Sequence, residues 1–178
     1  MKLFIFGSTG DLVRKKVLPA LQDLEKDELE IYALGRRDFT KKIYEDFVCK
    51  GNCKESFKEK IHYKKIDYNS EGFCDSCIPD LDKDKTNYFF IAMPPGLYGN
   101  IIRSIGRIKS KGYDLRILLE KPFGSSLKEA KEIKRIISEN NLEYFYHIYI
   151  AYFTWYVIIK KRIYWRWNQW IKKKFKKL

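Results

Sequence analysis

Short runs of consecutive apolar residues alternate with amphipathic stretches along the first 141 residues of the chain. Leu3–Phe6 and Tyr88–Met93 predict buried strands, the first of them buried on both faces, and Leu115–Leu119 predicts another strand. Ile31–Leu34 predicts another short strand, and His62–Ile66 predicts a weak one because it contains Lys64 and Lys65. Continuous apolar strands that alternate with helices are typical of a parallel sheet with helices on both faces. The pattern therefore predicts an α/β fold with a doubly wound parallel sheet.

Four helices are predicted between and after these strands from apolar residues spaced three to four positions apart. They cover Val13 to about Lys26, Lys41–Lys50, a segment marked by Ile101, Ile102, Ile105 and Ile108, and a segment that begins at Ser126. Ser126 is followed three positions later by Glu129, which is the signature of a capped helix start. Ile43 and Phe47 lie on one face of the second predicted helix, and the fourth has one apolar stripe, formed by Leu127, Ala130, Ile133, Ile136 and Ile137.

The composition changes after Asn141. Residues 144–178 hold all four tryptophans and nine basic residues but no acidic residue, so the formal charge of +13 leaves only +4 for residues 1–143. We therefore expect a domain over 1–143 and a basic, aromatic tail over 144–178. The apolar stretch 144–159 has 16 residues, and a membrane span needs about 20. A buried strand followed by a disordered tail is favoured over a membrane span.

Length and composition indicate one globular domain, because the chain has 178 residues, of which 45% are hydrophobic and 33% charged. The apolar run after Lys2 is too short for a secretory signal, so we expect a cytosolic protein with reduced cysteines. The cysteines form two spaced pairs, Cys49 with Cys53 and Cys74 with Cys77. Free thiols are favoured over a zinc site, because the two pairs are expected at opposite edges of the sheet.

A glycine-containing turn directly follows the first predicted strand. Its residues are Gly7, Ser8, Thr9, Gly10, Asp11 and Leu12. Glycines let the backbone turn tightly and approach a pyrophosphate, and the helix start offers free N–H groups and the positive end of a dipole. Val13 stands where the full dinucleotide-binding fingerprint has its third glycine.

The end of the second strand bears on the choice of dinucleotide. Arg36 and Arg37 stand where an NAD site usually carries an acidic residue, and Asp38 comes two positions late. A guanidinium pairs well with the 2′-phosphate of NADP, although two solvated surface arginines would give the same pattern. Lys121 follows the last predicted strand, where it could bind a phosphate or a sugar hydroxyl or form only a surface salt bridge.

Three segments resemble the glucose-6-phosphate dehydrogenase family, in that family's order: 7–21, Ala92–Pro95 and Glu120–Gly124. The resemblance covers about residues 2–141. It implies a Rossmann-type sheet, an NADP cofactor, glucose 6-phosphate as the substrate and a homo-oligomeric enzyme, with Pro122 as a candidate cis-proline. The implied cofactor contacts are Gly7, Ser8, Thr9, Gly10, Asp11, Leu12, Arg36, Ala92, Met93, Pro94 and Lys121, and Lys121 would also contact the sugar phosphate.

The sequence departs from the family after Asn141. The family's Arg-Ile-Asp-His-Tyr-Leu-Gly-Lys motif does not follow, and the two histidines, His62 and His147, do not match the later catalytic histidine. No catalytic residue is assigned, and we expect a truncated product that is inactive alone. One rival is another NADP-dependent oxidoreductase or epimerase, although its Tyr-x-x-x-Lys pattern occurs only at Tyr156 and Lys160 in the tail. The other is a basic-tailed module that binds nucleic acid or a membrane surface.

Overall fold

The protein folds around one six-stranded parallel sheet. The computed structural model describes residues 1–23, 28–68, 70, 72–120 and 124–147. The strands are β1 Lys2–Phe6, β2 Glu30–Gly35, β3 Ile61–Lys65, β4 Asn87–Ile91, β5 Leu115–Glu120 and β6 Glu143–His147. Their spatial order is β3-β2-β1-β4-β5-β6, and every neighbouring pair is parallel. This order is that of a doubly wound Rossmann-type sheet, which confirms the predicted fold class.

Helices cover both faces of the sheet. A π-helical turn, Val13–Val17, continues into α1 Leu18–Asp23, and the others are α2 Lys41–Cys49, α3 Glu55–Glu59, α4 Tyr98–Lys109 and α5 Leu127–Glu139, with 3₁₀ segments at Phe73–Asp80 and Pro95–Leu97. One core cluster packs α4, α5 and the longer 3₁₀ segment against the sheet, and a second packs the first helix and α2 against the other face. The strand residues alternate between the two clusters, as Phe4 and Ile5 show.

Two residues of the apolar faces noted in the sequence are exposed. Ile43 on α2 is 49% exposed and Leu127 on α5 is 73% exposed. In α2 the buried residues are Tyr44, Val48 and Cys49 instead, so the buried face of this helix is displaced from Ile43. Leu127 is the first residue of α5, ahead of the stripe that packs on the core.

The predicted start of α5 is confirmed. The Ser126 hydroxyl accepts a hydrogen bond from the Glu129 N–H at 3.2 Å. The Glu129 carboxylate turns back and accepts from the N–H of Ser125 at 2.7 Å. The helix start is therefore capped from both directions, with Ser125 in the place that a capping box usually gives to the capping serine.

The expectation of free thiols is wrong for one of the two cysteine pairs. Cys49 and Cys53 form a disulfide, because the end of α2 and the following turn bring their Cα atoms to 5.1 Å. Cys74 and Cys77 are free and buried, as expected. Cys49 belongs to the core on one face of the sheet and the free pair to the core on the other. The described residues contain no group of three or more histidine, cysteine or acidic side chains that could hold a metal.

The last strand, β6, crosses the position where the composition changes. It pairs with β5 along its length, from Arg116 opposite Glu143 to Glu120 opposite His147. The first residues of the expected tail therefore belong to the sheet. None of the helices that the structure describes is long and apolar enough to cross a membrane. Residues 148–178, which include the rest of the stretch considered for a membrane span, lie outside the described residues.

Candidate functional site

The glycine turn lies at the carboxyl end of β1, where the order of the strands reverses. Phe6, the last residue of β1, stands opposite Leu34 of β2 and Ile91 of β4. The segments that follow these three strands therefore leave the sheet at the same level. Open α/β sheets bind ligands in the crevice outside the carboxyl ends of the strands at such a switch point.

Gly7 and Ala92 are in close backbone contact across this switch point. The backbone of Gly7 has a φ of +75°, and a Cβ atom built on it would lie 2.2 Å from the carbonyl oxygen of Ala92. The N–H of Ala92 donates to the carbonyl of Phe6 at 3.1 Å, which joins the two strand ends. Only glycine combines this backbone angle with this separation. The same residue that lets the chain turn also lets β4 lie beside the turn.

The turn leaves several backbone donors without partners. The N–H groups of Ser8 and Gly10 donate to Leu34 and to Gly7, at 3.0 and 2.9 Å. Those of Thr9, Asp11 and Leu12 donate no hydrogen bond within the described residues. Such unpaired donors at the start of a helix form an anion-binding arrangement.

The Ser8 hydroxyl has no hydrogen-bond partner within the described part of the chain. Ser8 is fully buried and its Oγ atom is among the buried polar atoms without a partner. A buried hydroxyl in this state costs about 1–3 kcal/mol relative to a satisfied one. The turn is therefore a place where the fold tolerates an unsatisfied polar group, which is a feature of functional sites.

The negative charge of Asp11, the exposed acidic residue of the turn, is offset by two basic side chains of the helix that follows. Its carboxylate accepts from Lys15 at 2.6 Å and from Arg14 at 2.8 Å. The hydrogen bond from Lys15, followed by that from Arg14, lowers the pKa of Asp11 to about 2. The negative charge of Asp11 is therefore offset by two cations at the helix start, and the repulsion that an anionic ligand would meet there is reduced.

Arg36 is exposed in the loop that follows β2, next to the turn. The adjoining Gly35 is so close to the turn that a Cβ atom on it would lie 3.1 Å from the Thr9 methyl carbon. Within the described residues, the Arg36 side chain has neither an ion pair nor a hydrogen bond. Asp38 forms an ion pair with Lys65 at 3.1 Å. The cation beside the turn is thus available, and Asp38, the acidic residue nearest to it in the sequence, is paired with another side chain.

Arg37 is held differently from its neighbour. Its guanidinium lies over the ring of Phe47, 5.0 Å from the ring centre, and 5.7 Å from that of Phe39. The guanidinium of Arg14 lies on the same Phe47 ring at 5.6 Å. Cation–π contacts of this kind stabilise a fixed side-chain orientation. Of the two adjacent arginines, Arg37 packs on the aromatic side chains of the fold and Arg36 extends into solvent.

Two buried tyrosines that the sequence analysis did not single out hold the turn in place. The Tyr44 hydroxyl donates to the carbonyl of Ser8 at 3.0 Å. The Tyr68 hydroxyl donates to the carbonyl of Leu34 at 3.0 Å and accepts from the N–H of Gly7 at 3.2 Å. Burial raises the pKa of both tyrosines, that of Tyr68 to about 12. A buried tyrosine needs a partner for its hydroxyl, but that partner is a backbone group with no sequence signature.

The segment after β4 completes the described part of the site. Ala92, Met93 and Pro94 leave the sheet opposite the turn, and the Met93 sulfur would lie 2.8 Å from a Cβ atom on Gly7. Tyr98, the first residue of α4, donates from its hydroxyl to the carbonyl of Glu120 at 3.2 Å. This bond ties the start of α4 to the end of β5. Lys121 and Pro122 follow β5 directly but lie outside the described residues.

The structure thus brings the predicted residues of three segments to one edge of the sheet. Gly7–Leu12, Arg36 and Ala92–Pro94 all follow the carboxyl ends of β1, β2 and β4. His62, in contrast, is the second residue of β3 and stacks on Tyr32 in the middle of β2, with ring centres 4.9 Å apart. It does not lie at the edge that carries the turn.

Comparison with known proteins identifies the same region of sequence. The family described as glucose-6-phosphate dehydrogenase, NAD binding domain, matches residues 4–149. Glucose-6-phosphate 1-dehydrogenase of Chlamydia pneumoniae is 29% identical over 177 residues, with 82% of this chain and 35% of the relative covered. The enzyme of that name from Buchnera aphidicola subsp. Baizongia pistaciae is 35% identical over 158 residues, with 77% and 31% covered. The chain therefore spans about a third of the length of the curated relatives it matches.

Solved structures show the same relationship. Glucose-6-phosphate 1-dehydrogenase from Mycobacterium avium superimposes with a TM-score of 0.68 at 25% identity, over 78% of this chain and 33% of that one. A Gfo/Idh/MocA family oxidoreductase from Vibrio cholerae shares the fold, with a TM-score of 0.54 at 14% identity over 83% of this chain and 38% of that one. The match over residues 4–149 places this chain in the glucose-6-phosphate dehydrogenase family, of which it carries the NAD-binding domain.

Proposed function

We propose that this chain binds NADP in preference to NAD, as the cofactor-binding part of a dehydrogenase that acts on glucose 6-phosphate. The observation that carries the preference is Arg36, an exposed cation directly after Gly35, where a Cβ atom would lie 3.1 Å from the methyl carbon of Thr9 in the glycine turn. An enzyme that uses NAD usually has an acidic residue near this point to bind the ribose hydroxyl groups. Here the acidic residue nearest in the sequence, Asp38, is paired with Lys65.

The residues of the turn fit a dinucleotide pyrophosphate. The unpaired N–H groups of Thr9, Asp11 and Leu12 are hydrogen-bond donors at a helix start, and the missing side chain of Gly10 allows the close approach of a phosphate. Arg14 and Lys15 already neutralise Asp11. We assign the pyrophosphate to this turn and the 2′-phosphate to Arg36.

The segment after β4 is assigned to the remaining part of the cofactor. Ala92, Met93 and Pro94 line the crevice on the side of the turn opposite to Arg36, because β4 and β2 flank β1. Bound NADP supplies the nicotinamide ring that accepts a hydride. The role of this chain's residues is to bind the cofactor, to orient it and to leave that ring open on the β4–β5 side of the crevice.

Glucose 6-phosphate is proposed as the substrate from the names of the relatives and from the Glu120–Gly124 segment. Lys121 is assigned to both the cofactor and the sugar phosphate, as the family resemblance implies. The proposed cofactor domain comprises residues 1–143, with 144–178 as a tail, and β6 adds the first residues of that tail to the sheet.

The experiment is a calorimetric titration of the 178-residue protein with NADP and, separately, with NAD. We expect NADP to bind at least tenfold more tightly, because only NADP carries the phosphate that Arg36 can pair with. Equal or tighter binding of NAD would refute the assignment of Arg36. Absence of binding by both dinucleotides would refute the assignment of the turn.

A further inference from the structure

Two stacked tyrosines connect the glycine turn to the loop that carries Arg36. Tyr44, on α2, and Tyr63, on β3, have ring centres 4.5 Å apart and planes inclined by 23°. The Tyr44 hydroxyl donates to the carbonyl of Ser8 at 3.0 Å. The Tyr63 hydroxyl donates to the carbonyl of Arg37 at 2.7 Å. The two rings share one stack, but each hydroxyl holds a different part of the site.

The loop after β2 is fixed on both sides of Arg36. The carbonyl of Gly35 accepts from the N–H of Ile66 at 2.8 Å. The carbonyl of Arg37 accepts from the Tyr63 hydroxyl and also from the N–H of Phe39, the latter at 3.0 Å. The backbone of Arg36 therefore lies between two carbonyl groups, each of which accepts a hydrogen bond from another part of the chain. Since the Arg36 side chain has no partner of its own within the described residues, its position depends on these anchors.

The glycine turn has a separate set of anchors. Ser8 is bound through its carbonyl by Tyr44 and through its N–H by Leu34. Gly7 is bound through its N–H by the Tyr68 hydroxyl at 3.2 Å. None of these bonds involves Tyr63 or the loop of Arg36. The hydroxyl of Tyr44 can therefore be removed without removing a bond from that loop, and the reverse holds for Tyr63.

We propose that Tyr44 and Tyr63 are positioning residues, and that each holds the segment that binds a different phosphate group of the cofactor. Tyr44 holds the turn in place for the pyrophosphate, which NAD and NADP have in common. Tyr63 holds the Arg36 segment in place for the 2′-phosphate, which only NADP has, and is therefore a determinant of cofactor specificity. The inference rests on the proposed function, because it assumes that the turn and Arg36 bind the two phosphate groups.

Both hydroxyl groups remain protonated at physiological pH and can therefore donate these hydrogen bonds. Burial is the main cause that raises the pKa of each tyrosine above its usual value. Tyr44 is fully buried and Tyr63 partly so. Replacement by phenylalanine keeps the ring, so the stack of the two side chains and its packing are retained while one hydrogen bond is lost.

The test is to measure the dissociation constants of NADP and NAD for four proteins by calorimetry: the unaltered chain, Tyr44→Phe, Tyr63→Phe and Tyr32→Phe. Tyr63→Phe should weaken NADP binding about five- to tenfold and leave NAD within about twofold, so that the ratio of the two constants changes. Tyr44→Phe should weaken both ligands by a similar factor, so that their ratio stays constant. Tyr32→Phe should change neither constant.

Tyr32 is the matched control because its hydroxyl also makes one hydrogen bond, to the Glu30 carboxylate at 2.8 Å, near the other end of β2. Partial unfolding of a variant would lower the fitted stoichiometry and not the ratio of constants. If Tyr44→Phe does not fold, Tyr68→Phe replaces it, since within the described residues the hydroxyl of Tyr68 binds the turn and the end of β2 and makes no bond to Arg36 or Arg37.

The unaltered chain tests the proposed function, and the variants test this inference. If the unaltered chain prefers NADP but Tyr63→Phe keeps the same ratio of constants, the specificity role of Tyr63 is wrong while the proposed function stands. A change of ratio in Tyr44→Phe would overturn the division of roles. If the unaltered chain does not prefer NADP, both the proposed function and this inference fail.

Discussion

The backbones of Gly7 and Ala92 approach so closely that a methyl group on the first would lie 2.2 Å from the carbonyl oxygen of the second. This contact joins the ends of β1 and β4 at the point where the strand order reverses, which is where open α/β sheets bind their ligands. Glycine is therefore required at position 7 for two reasons: the backbone has a φ of +75°, and there is no room for a side chain.

Gly7→Ala should lower the free energy of unfolding by more than about 3 kcal/mol, because it adds a steric clash to the strain of a left-handed backbone. Gly51 is the control, since its φ is +81° but no atom lies within 4 Å of a Cβ built on it. Gly51→Ala should cost only the backbone strain, about 1–2 kcal/mol. Urea unfolding of both variants measures the difference. Equal losses would contradict the contact with Ala92.

Arg36→Ala should remove most of the preference for NADP and leave NAD binding within about threefold. An arginine–phosphate pair contributes about 1.5–3 kcal/mol, so NADP should bind about ten- to a hundredfold more weakly. Lys131→Ala is the control. It removes a positive charge from the exposed side of α5, which packs on the face of the sheet opposite to α2, and it should change neither affinity. A parallel loss of both ligands in Arg36→Ala would show a general electrostatic effect instead.

The carboxyl group of Asp11 should titrate near pH 2, because Lys15 and Arg14 lower its pKa from 3.8 to about 2. A pKa that is lower in the folded protein means that the stabilisation is complete above about pH 4 and is lost as the pH falls toward 2. Carbon-detected NMR of the carboxyl group measures the midpoint. In Lys15→Ala the midpoint should rise toward 3.8. An unaltered midpoint in that variant would exclude the Lys15 bond as the main cause.

Thiol labelling should distinguish the two cysteine pairs. In denaturant without reductant, two thiols should react, and with reductant four, because Cys49 and Cys53 are bonded to each other. In the folded protein, Cys74 and Cys77 should react slowly, since burial raises the pKa of both thiols, that of Cys77 to about 12. Mass spectrometry of the labelled peptides identifies the sites. Rapid labelling of Cys77 at pH 8 would contradict its burial.

The 178-residue chain alone should bind NADP without reducing it in the presence of glucose 6-phosphate. Loss of a general base typically lowers a rate about 10²–10⁴-fold, and His62 stacks on Tyr32 away from the carboxyl edge of the sheet. Absorbance of NADPH at saturating sugar phosphate is the measurement. Turnover that His147→Ala abolishes would show that His147 supplies a base and would refute the prediction.

The strands and the glycine turn could be predicted because their signals are local. Leu3–Phe6 is apolar throughout and Leu115–Leu119 is apolar except for Arg116, and such segments are buried on both faces in a parallel sheet. The turn follows the first strand directly, so its place at the sheet edge follows from chain continuity. The start of α5 was predictable for the same reason, because Ser126 and Glu129 are three residues apart.

The buried face of α2 could not be read from spacing alone. Ile43 is the more apolar residue, yet Tyr44 is buried and Ile43 is half exposed. Tyrosine can occupy the interior because its hydroxyl reaches the carbonyl of Ser8, which is 36 residues away in the sequence. The energetic cost of a buried hydroxyl is removed by a partner that no local pattern reveals.

By itself, the sequence determined the type of fold, the glycine turn after the first strand and the position of Arg36 after the second strand. Only the tertiary structure decided the strand order, the Cys49–Cys53 bond and the tyrosine hydroxyls that hold the turn and the Arg36 loop. The physical reason is the range of the interactions. Apolar periodicity and helix capping act between neighbours in the chain, whereas strand pairing and the bonds of buried hydroxyls join segments that meet only when the chain has folded.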